Sequence, residues 1–161
     1  MSYAEFVDRK LVRVPPTGIA GAGAITLPDS MFDFQGALTT WALRRGRAAI
    51  FADTGLGKSR MQLAWADAVH RETKHDVLIL APLAVAAQTV AEGSEIGVKV
   101  NQCRDGAEVQ AGITITNYDR LHRFDTSRFG AVVLDESSVI KHHTSKTLAT
   151  LLEAFAQTPF K

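Results

Sequence analysis

The sequence is short of cysteine, of aromatic residues and of any bias in charge, and the first of these shortages excludes something. Its one cysteine, Cys103, cannot close an internal disulfide, so a disulfide-stapled scaffold is excluded and a reducing, cytoplasmic setting is expected. Eighteen basic residues against seventeen acidic ones leave a formal net charge of +1, which argues neither for nor against a nucleic-acid partner. No apolar run approaches the roughly 20 residues of a membrane helix, so no membrane partner is expected. The opening "MSYAEFVDRK" carries Glu5 and Asp8 and lacks an apolar centre, unlike a secretory signal. There is no internal repeat. What is present is ordinary for a globular domain: 161 residues, 46% of them apolar, enough for one sizeable core.

Residues 2–11 read as a short helix, with Phe6 and Leu11 on one side. "VPPTGIAGAGAITLPDS" follows, and its prolines and glycines break any regular element. Residues 1–30 are therefore expected to be an extension and linker, with the compact domain at 31–161. "FDFQGALTTWALRRGRA" predicts a helix in which Phe34, Leu38, Trp41 and Ala42 recur at helical spacing, with Gly46 as its C-terminal cap.

From there the pattern alternates. "AAIFAD", "DVLILA", "VKVNQC", "GITITN" and "FGAVVLDE" read as five short strands. Between and after them lie helical patterns carrying Met61, Ala64, Trp65, Ala68 and Val69; Leu83, Ala86, Ala87 and Val90; and Leu148, Leu151, Leu152 and Phe155. Near-continuous apolar strands separated by helices imply an α/β fold, with a mainly parallel sheet covered on both faces. In such sheets ligands bind where strands end. Residues 53–59, Pro82, Asn117-Tyr118 and Asp135-Glu136 all fall at that edge.

"ADTGLGKS" is the most informative stretch. Strand, glycine loop, then Lys-Ser opening a helix is an arrangement that binds phosphates. Gly55 and Gly57 let the backbone approach an anion, and inward N–H groups cradle its oxygens. Lys58 would neutralise the β- and γ-phosphates, and the Ser59 hydroxyl would ligate magnesium. Ala52 stands where the usual pattern has its first glycine. Downstream, Asp135 suits the metal, directly or through water, and Glu136 suits positioning and deprotonating a nucleophilic water. Adjacent strand residues point to opposite faces, so this division of labour needs the chain to turn at that point.

These residues resemble superfamily 2 helicases and translocases, in particular Swi/Snf-like and phage-type members. "ADTGLGKS" resembles their first motif, and "LDES" their DEAD/DEAH-type second motif with Ser137-Ser138 in the last two places. "LILAPLAVAAQ" matches at Pro82 and Gln88, "ITITNYDRL" at Thr116, Asn117 and Tyr118, and "SSVIKHHTSKT" resembles the segment after the second motif. "FDFQ" puts Gln35 where the family reads adenine.

The resemblance spans about residues 31–161. It implies a RecA-like P-loop domain that binds ATP and Mg2+, with Lys58 and Glu136 as catalytic residues. The nucleotide set is Gln35, Thr54, Gly55, Leu56, Gly57, Lys58, Ser59 and Arg60; Ser59 and Asp135 hold the metal. It implies nucleic-acid contacts at Pro82, Leu83, Thr116, Asn117 and Tyr118, with DNA favoured over RNA. The family's later S/T-A-T motif and its second, arginine-finger-bearing RecA-like domain lie beyond "QTPFK", so the domain is expected to be incomplete at its C-terminus. Turnover and strand movement are then expected only together with that second domain.

Two other classes stand beside this reading: a non-catalytic nucleotide-binding module, and a small P-loop kinase. Gln35 could equally be a solvent-facing helix residue. Arg44, Arg45 and Arg47 read as a solvated surface, His142-His143 as a weak metal signal, Trp65 as core, and Cys103 as a strand residue.

Overall fold

In the computed structural model, residues 15–136 and 146–161 are described. Four strands form one sheet: β1 (Asp76–Leu80), β2 (Val100–Gln102), β3 (Ile113–Thr116) and β4 (Phe129–Leu134). Their order is β2-β3-β1-β4 and every pairing is parallel. The helices are α1 (Asp33–Arg45), α2 (Lys58–Thr73), α3 (Leu83–Glu95) and α4 (Lys146–Ala154). The expected α/β class holds. No described helix is long and apolar enough to cross a membrane.

β1 lies inside the sheet, and its alternating side chains feed two cores. Val77 and Ile79 join Ile113, Ile115 and Ala131 under Leu43, Leu63, Val69 and Ala86 from three helices. Leu78 and Leu80 face the other way, to Phe124, Phe129, Val132 and the α4 residue Leu151. That two-sided burial is why these strands read as continuous apolar runs. At the amino edge, Asp76 accepts from Gly112 N–H (2.8 Å) and pairs with Arg128 (3.1 Å), so the start of β1 is tied to segments on both sides of it.

Three expectations need correction. Residues 48–53 are not a regular strand. Their one described ladder contact is at Ala48, whose N–H reaches the Lys161 carbonyl at 2.8 Å; no described strand runs beside the rest. Residues 15–30 are irregular, as their glycines and prolines require, but they are packed rather than loose. Ala22 is fully buried, Ile19, Ile25 and Leu27 pack on the first core, and Thr17, Gly18 and Ile19 donate to the last carbonyls of α1.

α1 forms as expected, and Gly46 caps it with φ +76° and an N–H bond to the Ala42 carbonyl. Its apolar stripe, however, is on the outside. Phe34, Leu38 and Trp41 are exposed while Gln35, Thr39, Ala42 and Leu43 are buried. The inner face packs closely on α2, and polar bonds fix Gln35 there. Residues 2–11, Ser137-Ser138 and His142-His143 lie outside the described residues.

The α1 end is a test of this packing. A Cβ on Gly18 would lie 2.0 Å from the Leu43 carbonyl oxygen and 2.5 Å from the Gly46 nitrogen, both rigid backbone atoms. We expect Gly18→Ala to lower stability in urea denaturation by about 1–3 kcal/mol. Gly21→Ala, with open space around the new methyl, should change it by less than about 0.5 kcal/mol.

Candidate functional site

Because every strand pairs in parallel, the segments after β1, β3 and β4 leave the sheet at one edge. The ladder continues one residue past β4, where Asp135 N–H donates to the Leu80 carbonyl at 2.8 Å. The chain then turns. Glu136 has φ +51°, an uncommon left-handed conformation for a side-chain-bearing residue, costing about 1–2 kcal/mol. Its N–H is held by the Asp135 carboxylate at 2.9 Å. This is the turn that separate tasks for two adjacent acids require.

The loop before α2 faces the same place. Asp53, Lys58, Asp135 and Glu136 line one cleft of about 790 Å³, which continues between residues 48–53 and β4. Gly55 and Gly57 have φ values of +84° and +74°, and Gly57 immediately precedes the first turn of α2. The Lys58 ammonium donates to the Ala52 carbonyl (2.9 Å) and the Asp53 carbonyl (3.2 Å). The lysine is thus folded over its own loop, with its charge at the mouth of the cleft. A helix start, a left-handed glycine and an ammonium are together the chemistry that could hold a multiply charged anion.

Gln35 sits beneath this loop. Its side-chain oxygen accepts from Phe32 N–H at 3.0 Å, and its amide nitrogen donates to the Leu56 carbonyl at 3.0 Å. It is neither solvent-facing nor free: the amide braces the loop from α1. A Cβ on Gly57, already disfavoured by φ +74°, would lie 2.3 Å from that nitrogen and displace the Gln35 amide. Thr54, Gly55 and Leu56 are exposed at the loop tip, and Ser59 is half-buried in the first turn of α2. Arg60 turns outward to the Ser30 carbonyl at 3.0 Å, tying the early loop to α2.

At the end of β1, Pro82 precedes α3 and Leu83 is exposed. At the end of β3, Thr116 and Asn117 are buried, and neither Thr116 Oγ1 nor Asn117 Oδ1 meets a hydrogen-bond partner among the described residues. Next comes a link that sequence reasoning missed. The Tyr118 hydroxyl donates to the Asp135 carbonyl at 2.7 Å, joining the segment after β3 to the acidic turn. Burial, and then the Asp135 and Glu136 carboxylates, push this phenol well above its ordinary range. Asp53 was missed too. It accepts from Thr54 N–H at 2.7 Å, and its position before a Thr-Gly pair was the available signal.

The remaining candidates are structural. Trp65 is buried, though it also lines the cleft wall, and Arg47 points to the Thr158 carbonyl at 3.5 Å. Cys103 is buried just after β2 and its thiol is pushed up, first by burial and then by Glu108, the reverse of activation. Among the described residues no three His, Cys, Asp or Glu side chains gather into a metal cluster.

No protein-family model matches the chain, and neither does any curated protein. Solved structures do. The UvsW helicase from bacteriophage T4 aligns over 100% of this chain and 58% of its own, at TM-score 0.70 and 17% identity. A second T4 UvsW structure aligns over 100% of this chain and 33% of its own, at 0.70 and 16%. The Sulfolobus solfataricus SWI2/SNF2 ATPase core in complex with dsDNA aligns over 79% of this chain and 30% of its own, at 0.62 and 21%. The fold is thus the RecA-like fold of helicase cores, and the chain spans between a third and three-fifths of the helicase chains it matches in full.

The Tyr118 link generates a pH prediction. The folded phenol keeps its proton to higher pH than the unfolded chain, whose tyrosines ionise near 10. Its contribution is fully present below that value and is lost as pH rises above it. We expect Tyr118→Phe to cost about 1–2 kcal/mol at neutral pH. Its urea midpoint should then fall less steeply than wild type between about pH 9 and about pH 11.

Proposed function

We propose that the chain is the ATP-binding half of a helicase-type motor acting on nucleic acid, with DNA favoured over RNA. The observation that carries the reading is the shared cleft: Lys58, at the start of α2, lines it together with Asp135 and Glu136. In this reading the N–H groups of Thr54 to Lys58 cradle the phosphates, with Ser59 and Arg60 in the following turn. Lys58 swings from the Ala52 and Asp53 carbonyls onto the β- and γ-oxygens. Gln35 acts on the nucleotide by holding Leu56 in place, ahead of any contact with the base.

Magnesium fits the donors present. It takes one or two carboxylates together with phosphate oxygens rather than an all-protein cage, so Asp135 with the Ser59 hydroxyl suffices. When bound, it would neutralise charge developing on the phosphates. Glu136, turned away from the strand direction, orients a water and takes its proton. Nucleic acid would meet Pro82, Leu83, Thr116, Asn117 and Tyr118 along the same sheet edge, largely through phosphate contacts. The similarity to a SWI2/SNF2 ATPase core that was solved in complex with dsDNA favours DNA. A second RecA-like domain would supply arginines for turnover, which in related phosphoryl-transfer systems contribute about 10³–10⁵ in rate.

Calorimetry with Mg-ATP tests this. Lys58→Ala should weaken binding at least about thirty-fold, in line with loss of charge-assisted bonds worth about 2 kcal/mol. Equal affinity in both proteins would remove the phosphate-seat assignment. Glu136→Gln should bind within about threefold of wild type while abolishing any hydrolysis, since the amide cannot accept the proton.

A further inference from the structure

The outer side of α1 carries an apolar stripe that the described residues leave open. Phe34, Leu38 and Trp41 follow one another at one-turn intervals, each between 36% and 44% exposed, and Phe32 at the start of the helix is 70% exposed. The Phe32 and Phe34 rings stack on each other at 6.1 Å with an interplanar angle of 12°, so the stripe is ordered as well as apolar. From Phe34 to Trp41 it runs about 10 Å, two helical turns.

The chain enters the fold at one end of this stripe. Thr17 donates to the Arg45 carbonyl through its N–H (3.2 Å) and its hydroxyl (3.4 Å), and Gly18 N–H donates to the Arg44 carbonyl (3.3 Å). Arg45 lies one turn beyond Trp41. The three steps from residue 14 to Thr17 span at most about 10 Å, close to the diameter of a helix. Pro15 pushes the residue before it out of the helical region, so a helical pattern upstream has to stop there. Such a pattern is present: on a helical projection Tyr3, Phe6, Val7 and Leu11 fall within about 140° of one another, with Glu5, Asp8 and Arg9 on the other side.

We propose that residues 3–13 dock on the outer stripe of α1 as an amphipathic helix parallel to it. Leu11 then meets Trp41, Val7 meets Leu38, and Tyr3 and Phe6 meet Phe34 and Phe32. The direction follows from the entry point: residue 14 is confined to the carboxyl end of α1, so the segment runs along the helix toward that end and reverses at the prolines. The two stripes match in length, since Tyr3 to Leu11 covers about 12 Å as a helix. The tether selects this occupant over a second copy or a free partner. Four side chains fall well short of the roughly 20–30 residues a side that a stable interface between separate chains uses. A segment held in reach by three residues needs no such area, because its effective concentration is on the order of millimolar. The inference uses no property of the phosphate seat and stands apart from the nucleotide reading.

Disulfide trapping tests the register. In a Cys103→Ala background, Val7→Cys with Leu38→Cys should close an intramolecular disulfide under mild oxidation, read by mass and gel mobility. Glu5→Cys with Leu38→Cys places the first thiol on the opposite side of the segment, out of bridging distance, and should close at least about tenfold more slowly. Trp41 emission in a Trp65→Phe background gives a second readout, since Trp41 lies on the stripe and Trp65 is buried. Phe6→Asp with Val7→Asp should uncover the stripe and raise acrylamide quenching of Trp41 by about twofold or more, while Arg9→Asp, on the solvent side, leaves it unchanged. Equal trapping rates in the two cysteine pairs overturn the proposal, as does trapping that runs mainly between chains. So does quenching of Trp41 that Phe6→Asp with Val7→Asp fails to raise.

Discussion

The parallel pairing of β1 with a neighbour on each edge is the constraint from which the rest follows. It sends the chain out of β1, β3 and β4 in one direction, so three segments far apart in sequence meet at one edge. The bond from Asp135 N–H to the Leu80 carbonyl carries that ladder to the first residue of the acidic turn. From there the left-handed Glu136 separates two adjacent carboxylates. Local strain is supported by a regular sheet beneath it, a common division between scaffold and site.

The second tier of organisation is a set of polar ties between segments. Gln35 joins α1 to the glycine loop, Tyr118 joins the end of β3 to the acidic turn, and Arg60 joins α2 to the early loop. Each leaves one side chain and ends on a backbone carbonyl of a distant segment. Such bonds depend on where the backbone runs and not on which residue supplies the acceptor. They specify position while leaving the loop sequence free to serve chemistry.

That explains what could be read from the sequence. The strands β1 to β4 and their helices were legible because burial on both faces makes apolar runs unmistakable, and because Gly46, Gly55 and Gly57 punctuate them. The placement of Asp135 and Glu136 at the sheet edge followed from the direction of β4, and that of Lys58 from the glycine loop opening α2. Residues 48–53 misled because an apolar run becomes a strand only with a neighbour alongside, and pairing is not a property of the run itself. α1 misled because periodicity identifies a stripe, not which side is covered: two hydrogen bonds hold Gln35 inward, which leaves Phe34, Leu38 and Trp41 in solvent. The packing of residues 15–30 was hidden for a similar reason, since its anchors are main-chain bonds to the end of α1.

Gln35 also has a mechanical consequence. One amide grips the first turn of α1 at Phe32 and the glycine loop at Leu56, with no flexible link between the two grips. The position of Leu56 is thus set by a side chain of α1 as well as by its own loop.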